Sequence, residues 1–201
     1  MNTPSHFFMT AALRQALRKR IPISRSAVLI GSIAPDLPLY ALSIGAYLYF
    51  HLYLGWSDEA TNSHMFDDLY FHDYGWMAAH NLLHAPSIQL IALVTLWRHR
   101  LQSVRKRWWL FWFFAACALH TLADLATHYD DGPLPLFPFD WHTRIHSPVS
   151  YWDRARHADQ FAIFELILNL VLIVYLLVSW FRGRRKAATP AMGGAGEEVI
   201  R

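Results

Sequence analysis

The sequence predicts an all-α membrane protein, a polytopic helical bundle of about four transmembrane helices preceded by an amphipathic helix at the amino end. Three observations lead to this prediction. Apolar residues make up 54% of the 201 residues and charged residues only 16%, a balance typical of membrane proteins. Four segments are apolar over nearly the ~20 residues that a helix needs to cross a bilayer. Charged residues are largely confined to the segments between them.

The four predicted spans are bounded by polar or basic segments. They run from Ala27 to about Leu54, from about Leu82 to Trp97, from Trp108 to about Thr127, and from Phe161 to Phe181. The first is interrupted at Pro35-Asp36-Leu37-Pro38, and the second is short. An interfacial helix is expected at the amino end, with Phe7, Phe8, Leu13 and Leu17 on its apolar side. Residues 1–186 are predicted to form one membrane-embedded domain, and the Gly/Ala-rich residues 187–201 a disordered cytoplasmic tail.

Basic and acidic residues lie in different connecting segments. Five basic residues and no acid precede Ala27, and five basic residues and no acid occupy residues 98–107. Residues 55–80 contain five acids and no Lys or Arg. The positive-inside rule therefore places both termini and residues 98–107 in the cytoplasm, and residues 55–80 and 129–160 outside. Membrane lipid is the expected partner, and no nucleic-acid partner is predicted.

Three carboxylic acids fall within the predicted spans: Asp36, Asp124 and Glu165. No Lys or Arg lies inside the spans to neutralise them, and an ionised carboxylate in lipid is costly without a partner. The available counter-groups are histidines and a bound cation. The single cysteine, Cys117, lies in an apolar run, which excludes both a disulfide framework and a thiolate zinc site.

His120, Asp124 and His128 form the most informative pattern in the chain. If the third span continues as a helix, these residues fall within an arc of roughly 80°. The outer two are then about 12 Å apart along the axis, too far for one ion. Either the helix ends before His128, or Asp124 bridges two ions about 3.5–4 Å apart. A polar stripe that is only hydrogen-bonded across the bundle is the alternative.

Two other segments offer further ligands. His80 and His84 are four residues apart, a spacing at which two histidines on a helix chelate one divalent cation. Two interfacial histidines at a helix start would give the same pattern. The prolines around Asp36 predict a broken helix, which at membrane depth is tolerated only where it faces protein or a wet cavity. Asp36 would there either join the site or cap the following half-helix.

The segment from Tyr129 to Gln160 contains Asp131, four prolines and several aromatic residues. The prolines at 133, 135, 138 and 148 exclude a long helix before Ser150. A loop of this length in a small protein is more often functional than idle. We expect it to be a lid over the site, an aromatic belt at the headgroups, or both.

Five short motifs carry a family resemblance: Ser5-His6, Gly31–Asp36, His120–Asp124, Gly132–Pro138 and Ser147–Asp153. They resemble motifs of the bacterial inner-membrane predicted metal-dependent hydrolases, also described as LexA-binding membrane-associated hydrolases. This family is distantly similar to zinc-dependent phospholipase C. The resemblance implies a membrane-embedded helical bundle in the inner membrane, with a divalent-metal site, hydrolase activity and His6, Asp36, His120 and Asp124 as ligands. The family's central histidine-rich segment matches loosely at His80 and His84.

Together these patterns favour a membrane-embedded metal-dependent hydrolase of an ester or phosphoester, with lipid as a candidate substrate. One or two divalent ions are expected, zinc first because histidine-dominated ligation suits it, with Mn or Fe as alternatives. Asp131 or Glu165, left uncoordinated, would be the general base. A b-type haem protein, with His84 and His120 as axial ligands, is a second reading. A non-catalytic scaffold, whose polar groups only fix helix packing, is a third.

Overall fold

The computed structural model describes residues 1–101 and 106–188, with side chains as far as Arg184, and all the secondary structure in these residues is helical. The predicted all-α class is therefore confirmed. Short π-helical and 3-10 turns extend or join the α-helices. The α-helices are α1 (Thr3–Leu17), α2 (Arg25–Gly31), α3 (Leu37–Tyr47), α4 (Asp58–Ser63), α5 (Tyr70–His72), α6 (Tyr74–His84), α7 (Pro86–Leu96), α8 (Lys106–Leu125) and α9 (Ala158–Ala188).

Three helical segments of the described chain are long and apolar enough to cross a membrane: Tyr74–His99, Lys106–Leu125 and Ala158–Arg184. The segment from Ala27 to Leu54 is interrupted, as its prolines predicted. It breaks after Gly31 and restarts at Leu37, because the ring of Pro35 removes an amide donor and disfavours a continuous helix.

The second predicted span begins earlier than its hydropathy indicated. A single residue, Ala85, joins α6 to α7. Its backbone is extended (ψ 122°), which is the conformation that a following proline, here Pro86, favours. The span therefore starts at Tyr74 rather than Leu82, and both His80 and His84 lie within it.

α8 is the central helix of the bundle, packed against α1, α2, α6 and α7. The approach of α2 is very close at Gly31, where an added Cβ would lie 2.4 Å from the backbone oxygen of Phe113. α9 packs mainly on α1 and leaves side chains such as Ile163, Leu170 and Val174 exposed. An apolar surface of this kind is expected to face lipid.

α1 turns its polar face, not its apolar face, towards the bundle. Its buried residues are Ser5, His6, Thr10 and Ala12, whereas Leu13 is 47% exposed. The predicted helix is present, but its hydroxyls and imidazole find partners inside the protein. At the other end of the chain, Ala187 and Ala188 still belong to α9, and the rest of the predicted disordered tail lies outside the described residues.

The long segment between α8 and α9 docks on the bundle. Leu134 and Phe137 are buried against Met77 and Ala85, and the Leu134 amide donates to Asn81 Oδ1 at 2.7 Å. Further along, the amides of Ser147 and Tyr151 donate to the carbonyls of His128 and Thr127, at 3.1 and 2.9 Å. This segment therefore satisfies carbonyl groups that follow the end of α8.

The Gly31 contact gives a stability prediction. Gly31→Ala should destabilise the protein by about 1–3 kcal/mol, because the methyl group would force α2 away from the Phe113 carbonyl. Gly45→Ala is the matched control, since an added Cβ at Gly45 in α3 meets no atom within 4 Å. Thermal unfolding in detergent should show a lower midpoint for the first variant only. Equal midpoints for the two variants would contradict the close packing of α2 on α8.

Candidate metal centre

Four side chains from three parts of the chain converge on one point beside α8. Asp36 lies in the break between α2 and α3, His84 is the last residue of α6, and His120 and Asp124 are one turn apart on α8. One ligand atom from each residue lies within 4.8 Å of the others. His84, His120 and Asp124 are at most 4% exposed. The bundle thus gathers two imidazoles and two carboxylates in a site closed to bulk water on most sides.

Three of the five distances between these atoms match those of ligands around a single tetrahedral ion, and the other two are shorter. His120 Nε2 lies 2.9 Å from Asp124 Oδ2 and 3.0 Å from His84 Nε2. His84 Nε2 lies 3.3 Å from Asp124 Oδ2. Asp36 Oδ1 lies 3.3 Å from His120 Nε2 and 3.6 Å from His84 Nε2. Four ligands at about 2.0–2.2 Å from a tetrahedral ion lie about 3.3–3.6 Å from one another. The group therefore fits a small divalent cation.

Backbone carbonyls on the far side of each ring set its tautomer. His120 Nδ1 lies 2.8 Å from the oxygen of Ser32, and His84 Nδ1 lies 3.2 Å from the oxygen of His80. A carbonyl only accepts, so both Nδ1 atoms donate and each Nε2 presents a lone pair in the neutral ring. The two Nε2 atoms are 3.0 Å apart, so their lone pairs repel unless a proton or a metal ion lies between them. Both rings are thus oriented as metal ligands.

Asp36 is turned towards this centre and away from its own helix. It occupies the N-cap position of α3 but accepts no capping hydrogen bond there. Its Oδ2 accepts a hydrogen bond from the Thr3 hydroxyl, which also lies 2.8 Å from the hydroxyl of Tyr40. The structure thus places Asp36 in the four-residue group and gives its side chain no capping role.

The second oxygen of Asp124 faces a different pair of histidines. Oδ1 lies 3.0 Å from His6 Nε2 and 3.6 Å from His128 Nε2, and 3.1 Å from the Met1 amino nitrogen. His6 is 1% exposed, stacks on the His120 ring with centroids 3.6 Å apart, and neither of its ring nitrogens has a hydrogen bond of good geometry. Asp124 thus stands between two groups of imidazoles.

α8 ends before His128, as one of the two sequence alternatives required. The helix stops at Leu125, and a turn at Ala126 and Thr127 brings His128 back beside Asp124. Since Asp124 also presents its two oxygens to different histidines, the two alternatives are not exclusive. The structure thus confirms the early helix end, and a two-ion bridge at Asp124 remains a prediction.

His128 connects the centre to Asp131 in the long loop. His128 Nδ1 lies 3.0 Å from Asp131 Oδ2, which also accepts a hydrogen bond of 2.8 Å from the indole of Trp152. Burial works to raise the pKa of Asp131, but the contacts with His128 and Trp152 outweigh it and hold the pKa below its usual range. Burial lowers the pKa of His128, while Asp124 and Asp131 together raise it above its usual value. The pair therefore favours an ionised carboxylate beside an imidazole that readily takes a proton.

His80 lies beside the four-residue group and outside it. The Tyr70 hydroxyl donates to the backbone oxygen of Asp131 at 2.6 Å and lies 3.0 Å from His80 Nε2. Because that hydroxyl proton is already used, His80 Nε2 is the donor towards Tyr70. The ring of His80 lies 4.4 Å from the ring of His84, between centroids. Of the predicted pair, His84 therefore belongs to the four-residue group, whereas His80 lies outside it, against Tyr70 and the ring of His84.

Glu165 holds the start of α1 in place. Its carboxylate accepts hydrogen bonds from the Asn2 amide (2.8 Å), the Asn2 side chain (2.6 Å) and the Ser5 hydroxyl (2.7 Å). Asn169, one turn further along α9, donates to the same Ser5 hydroxyl at 2.8 Å. This anchor brings His6, the next residue, to Asp124.

Sequence reasoning missed a second set of buried polar residues, between α6, α7 and α8. The Gln89 amide donates to Leu83 O and to Thr121 Oγ1, both at 2.6 Å, and Thr121 donates to the backbone oxygen of His84 at 2.9 Å. These bonds fix the end of α6, and with it His84. Gln89 is a polar residue within an apolar span, and that was the available signal. The carbonyls of Ser32 and His80 have no signature in the sequence.

The comparisons with known proteins give one match. The sequence matches the YdjM inner membrane protein family over residues 1–186, which include every residue of the centre. Neither a curated protein nor a solved structure matches the chain. The candidate spans agree with the location in the family's description, and the expectation of a bacterial inner-membrane family is confirmed at that level. The chain belongs to the YdjM inner membrane protein family.

Proposed function

We propose that this inner-membrane protein is a metal-dependent hydrolase of an ester or phosphoester. The observation that carries the proposal is the convergence of Asp36, His84, His120 and Asp124, with their ligand atoms within 4.8 Å of one another. We expect zinc to be the bound ion, because it prefers tetrahedral sites and is commonly bound by imidazoles and carboxylates. A bound zinc ion would polarise the scissile group and lower the pKa of a bound water to near 7.

A second ion would use the other oxygen of Asp124. His6 and His128 approach Oδ1 while His84 and His120 approach Oδ2, the disposition of a carboxylate that bridges two metals. Because His6 is buried and its ring nitrogens lack well-formed hydrogen bonds, a cation beside it would satisfy a group that is otherwise costly to bury.

Asp131 is the stronger of the two predicted general bases. It lies outside the four-residue group, is half-buried, and reaches the centre through His128. Asp131 would accept the proton released at the centre, and His128 Nδ1, 3.0 Å away, would orient its carboxylate. Glu165 already accepts three hydrogen bonds from Asn2 and Ser5. A positioning role for Glu165, through α1 and His6, is therefore favoured over its predicted role as a base.

The two alternative functions receive less support from the geometry. Axial haem ligands lie on opposite faces of a planar macrocycle, yet His84 Nε2 and His120 Nε2 are 3.0 Å apart with Asp124 Oδ2 within 3.3 Å of both. A scaffold would pair its buried polar groups among themselves, whereas His6 is left without well-formed hydrogen bonds.

We also infer that the basic ends of the helices, including the last turns of α9, face the cytoplasm. The predicted cytoplasmic amino terminus does not fit this topology, because the Met1 amino nitrogen lies 3.1 Å from Asp124 Oδ1 at the metal centre. Arg14, Arg25 and Arg184 line one groove, and the Trp108 indole at the start of α8 donates to the oxygen of Pro22 at 2.8 Å. The basic ends of α1, α2, α8 and α9 therefore lie together, as the positive-inside rule requires. This topology needs a fourth crossing, formed by α2, the break and α3. The metal centre, near the other end of α8, then lies towards the outer face, where lipid esters are the available substrates.

The metal content tests the centre directly. Detergent-purified wild-type protein should retain near-stoichiometric zinc, Mn or Fe, and His120→Ala with Asp124→Ala should lose it, because half of the ligand set is removed. His64→Ala with Asp68→Ala is the matched control, since these residues form an exposed pair at the same four-residue spacing, 3.0 Å apart. Metal analysis per protein should leave this control at the wild-type value. Metal-free wild-type protein from gentle detergent would contradict the proposal.

The bridging role of Asp124 predicts a change in stoichiometry. His6→Ala with His128→Ala should reduce two bound ions to one, because the ligands of only one side are lost. His84→Ala should weaken the other ion. Native mass spectrometry counts the ions, and magnetic coupling between two Mn²⁺ ions in the wild type should disappear in the double variant. A single uncoupled ion in the wild type would show that Asp124 serves one metal only.

The role of Asp131 predicts a loss of rate with retention of metal. Asp131→Asn should lower kcat by about 10²–10⁴-fold, as expected for removal of a general base, on bis-p-nitrophenyl phosphate or p-nitrophenyl butyrate in mixed micelles. Asp130→Asn, the exposed neighbour, is the control and should keep the wild-type rate. Wild-type turnover by the Asp131 variant would exclude this residue as the base.

A further inference from the structure

We propose that a groove at the basic end of the bundle binds the phosphate of an anionic phospholipid. The groove has a volume of about 770 Å³ and lies between the second half of α1, the start of α2 and the last turns of α9. It is separate from the metal centre, because His6 and Arg14 are eight residues apart on α1, about 12 Å along the axis. The inference therefore does not depend on hydrolase activity.

Four arginines from three helices line this groove: Arg14 and Arg18 from α1, Arg25 from α2 and Arg184 from α9. No acidic residue lines it, and none of the four has an ion-pair partner among the described side chains. Like charges gathered without a counter-ion repel one another, so the arrangement favours a bound anion. Arginine is the residue best suited to phosphate, since its planar fork donates two parallel hydrogen bonds.

Arg14 shows the effect of this crowding most clearly. Its Nε is buried and has no hydrogen-bond partner. Burial, together with repulsion from Arg25 and Arg18, lowers the pKa of Arg14 from its usual value. A phosphate in the groove would give the Nε an acceptor and reduce the repulsion between the three guanidinium groups.

The remaining walls of the groove are apolar and suit an acyl chain. Phe7, Leu29, Leu176 and Leu177 line it, and Leu177 is 51% exposed, so the wall continues onto the lipid-facing side of α9. A free phosphate or a nucleotide would gain nothing from such a surface. A molecule with a phosphate at one end and a hydrocarbon chain at the other matches both parts.

The depth of the groove in the membrane agrees with a phospholipid headgroup. The apolar run of α9 ends at Phe181 and is followed by Arg182 and Arg184. Trp180 lines the groove, with the Arg184 guanidinium 4.0 Å from its ring centroid. Tryptophan and arginine at the end of a span mark the level of the headgroups. The phosphate of a lipid in the adjoining leaflet would therefore meet the arginines without leaving the bilayer.

Native mass spectrometry of the detergent-purified full chain tests the proposal. Phosphatidylglycerol should bind at least tenfold more tightly than phosphatidylcholine with the same acyl chains, and Arg14→Gln with Arg25→Gln should remove that preference. Lys106→Gln with Arg107→Gln is the matched control, because both side chains are exposed and the charge change is equal. The control should bind phosphatidylglycerol as the wild type does.

Three results would overturn the proposal. Equal binding of the two lipids would show that charge is not recognised, and an equal loss in the control would show a general surface attraction. Displacement of phosphatidylglycerol by an equimolar amount of inorganic phosphate would identify a free anion as the occupant. Should the arginine variant fail to fold, phosphatidylglycerol brominated on its acyl chain provides the second test. It should quench wild-type fluorescence more than that of Trp180→Phe, and equal quenching would place the lipid elsewhere.

Discussion

The neutralisation of two carboxylates inside an apolar bundle is the constraint on which the rest of this structure depends. Asp124 is 4% exposed, and within the described chain neither it nor Asp36 has a lysine or arginine partner. Histidines surround both carboxylates, and the Met1 amino nitrogen lies 3.1 Å from Asp124 Oδ1. This amino group can balance one negative charge, but the imidazoles balance the other only if they take up a proton. A metal ion between the rings and the carboxylates satisfies both sets of groups, since each then contributes a lone pair.

Features of the backbone that look irregular serve this arrangement. The break at Pro35 places the Asp36 carboxylate beside His120 of α8. The close contact at Gly31 brings the carbonyl of Ser32 to the other side of the same ring. The extended residue Ala85 ends α6 just after His84. Glu165 draws α1 inward by its amino end. Irregular backbone within a membrane bundle is tolerated where it lines a site, and each of these features places a ligand or the carbonyl that orients one.

The helices also share a common polarity. α1, α8 and α9 each have a site residue near one end and basic residues near the other: His6 and Arg14, Asp124 and Lys106, Glu165 and Arg184. The candidate metal centre and the groove proposed for an anionic headgroup therefore lie at opposite ends of the same bundle. Charge that is expensive in lipid is thus restricted to places where it meets a ligand or the membrane surface.

Sequence reasoning found most of the centre because charge in an apolar helix is a strong signal. Asp36, Asp124 and the stripe His120/Asp124/His128 were recognisable by their setting alone. The break in the first span was also predicted, from the prolines on either side of Asp36. The helical segment that carries the second span begins at Tyr74 rather than near Leu82, because residues 74–81 are less apolar than the residues that follow. The choice between His80 and His84 could not be made, because it depends on how α6 meets α8. The inward polar face of α1 follows from partners on α8 and α9, which no local pattern reveals.

X-ray absorption at the metal edge of the detergent-purified protein tests the central claim most directly. The account predicts a first shell of nitrogen and oxygen atoms at about 2.0–2.2 Å with the outer scattering of at least two imidazoles and no sulfur. A hydrated ion without imidazole scattering, or a sulfur shell from Cys117, would contradict it.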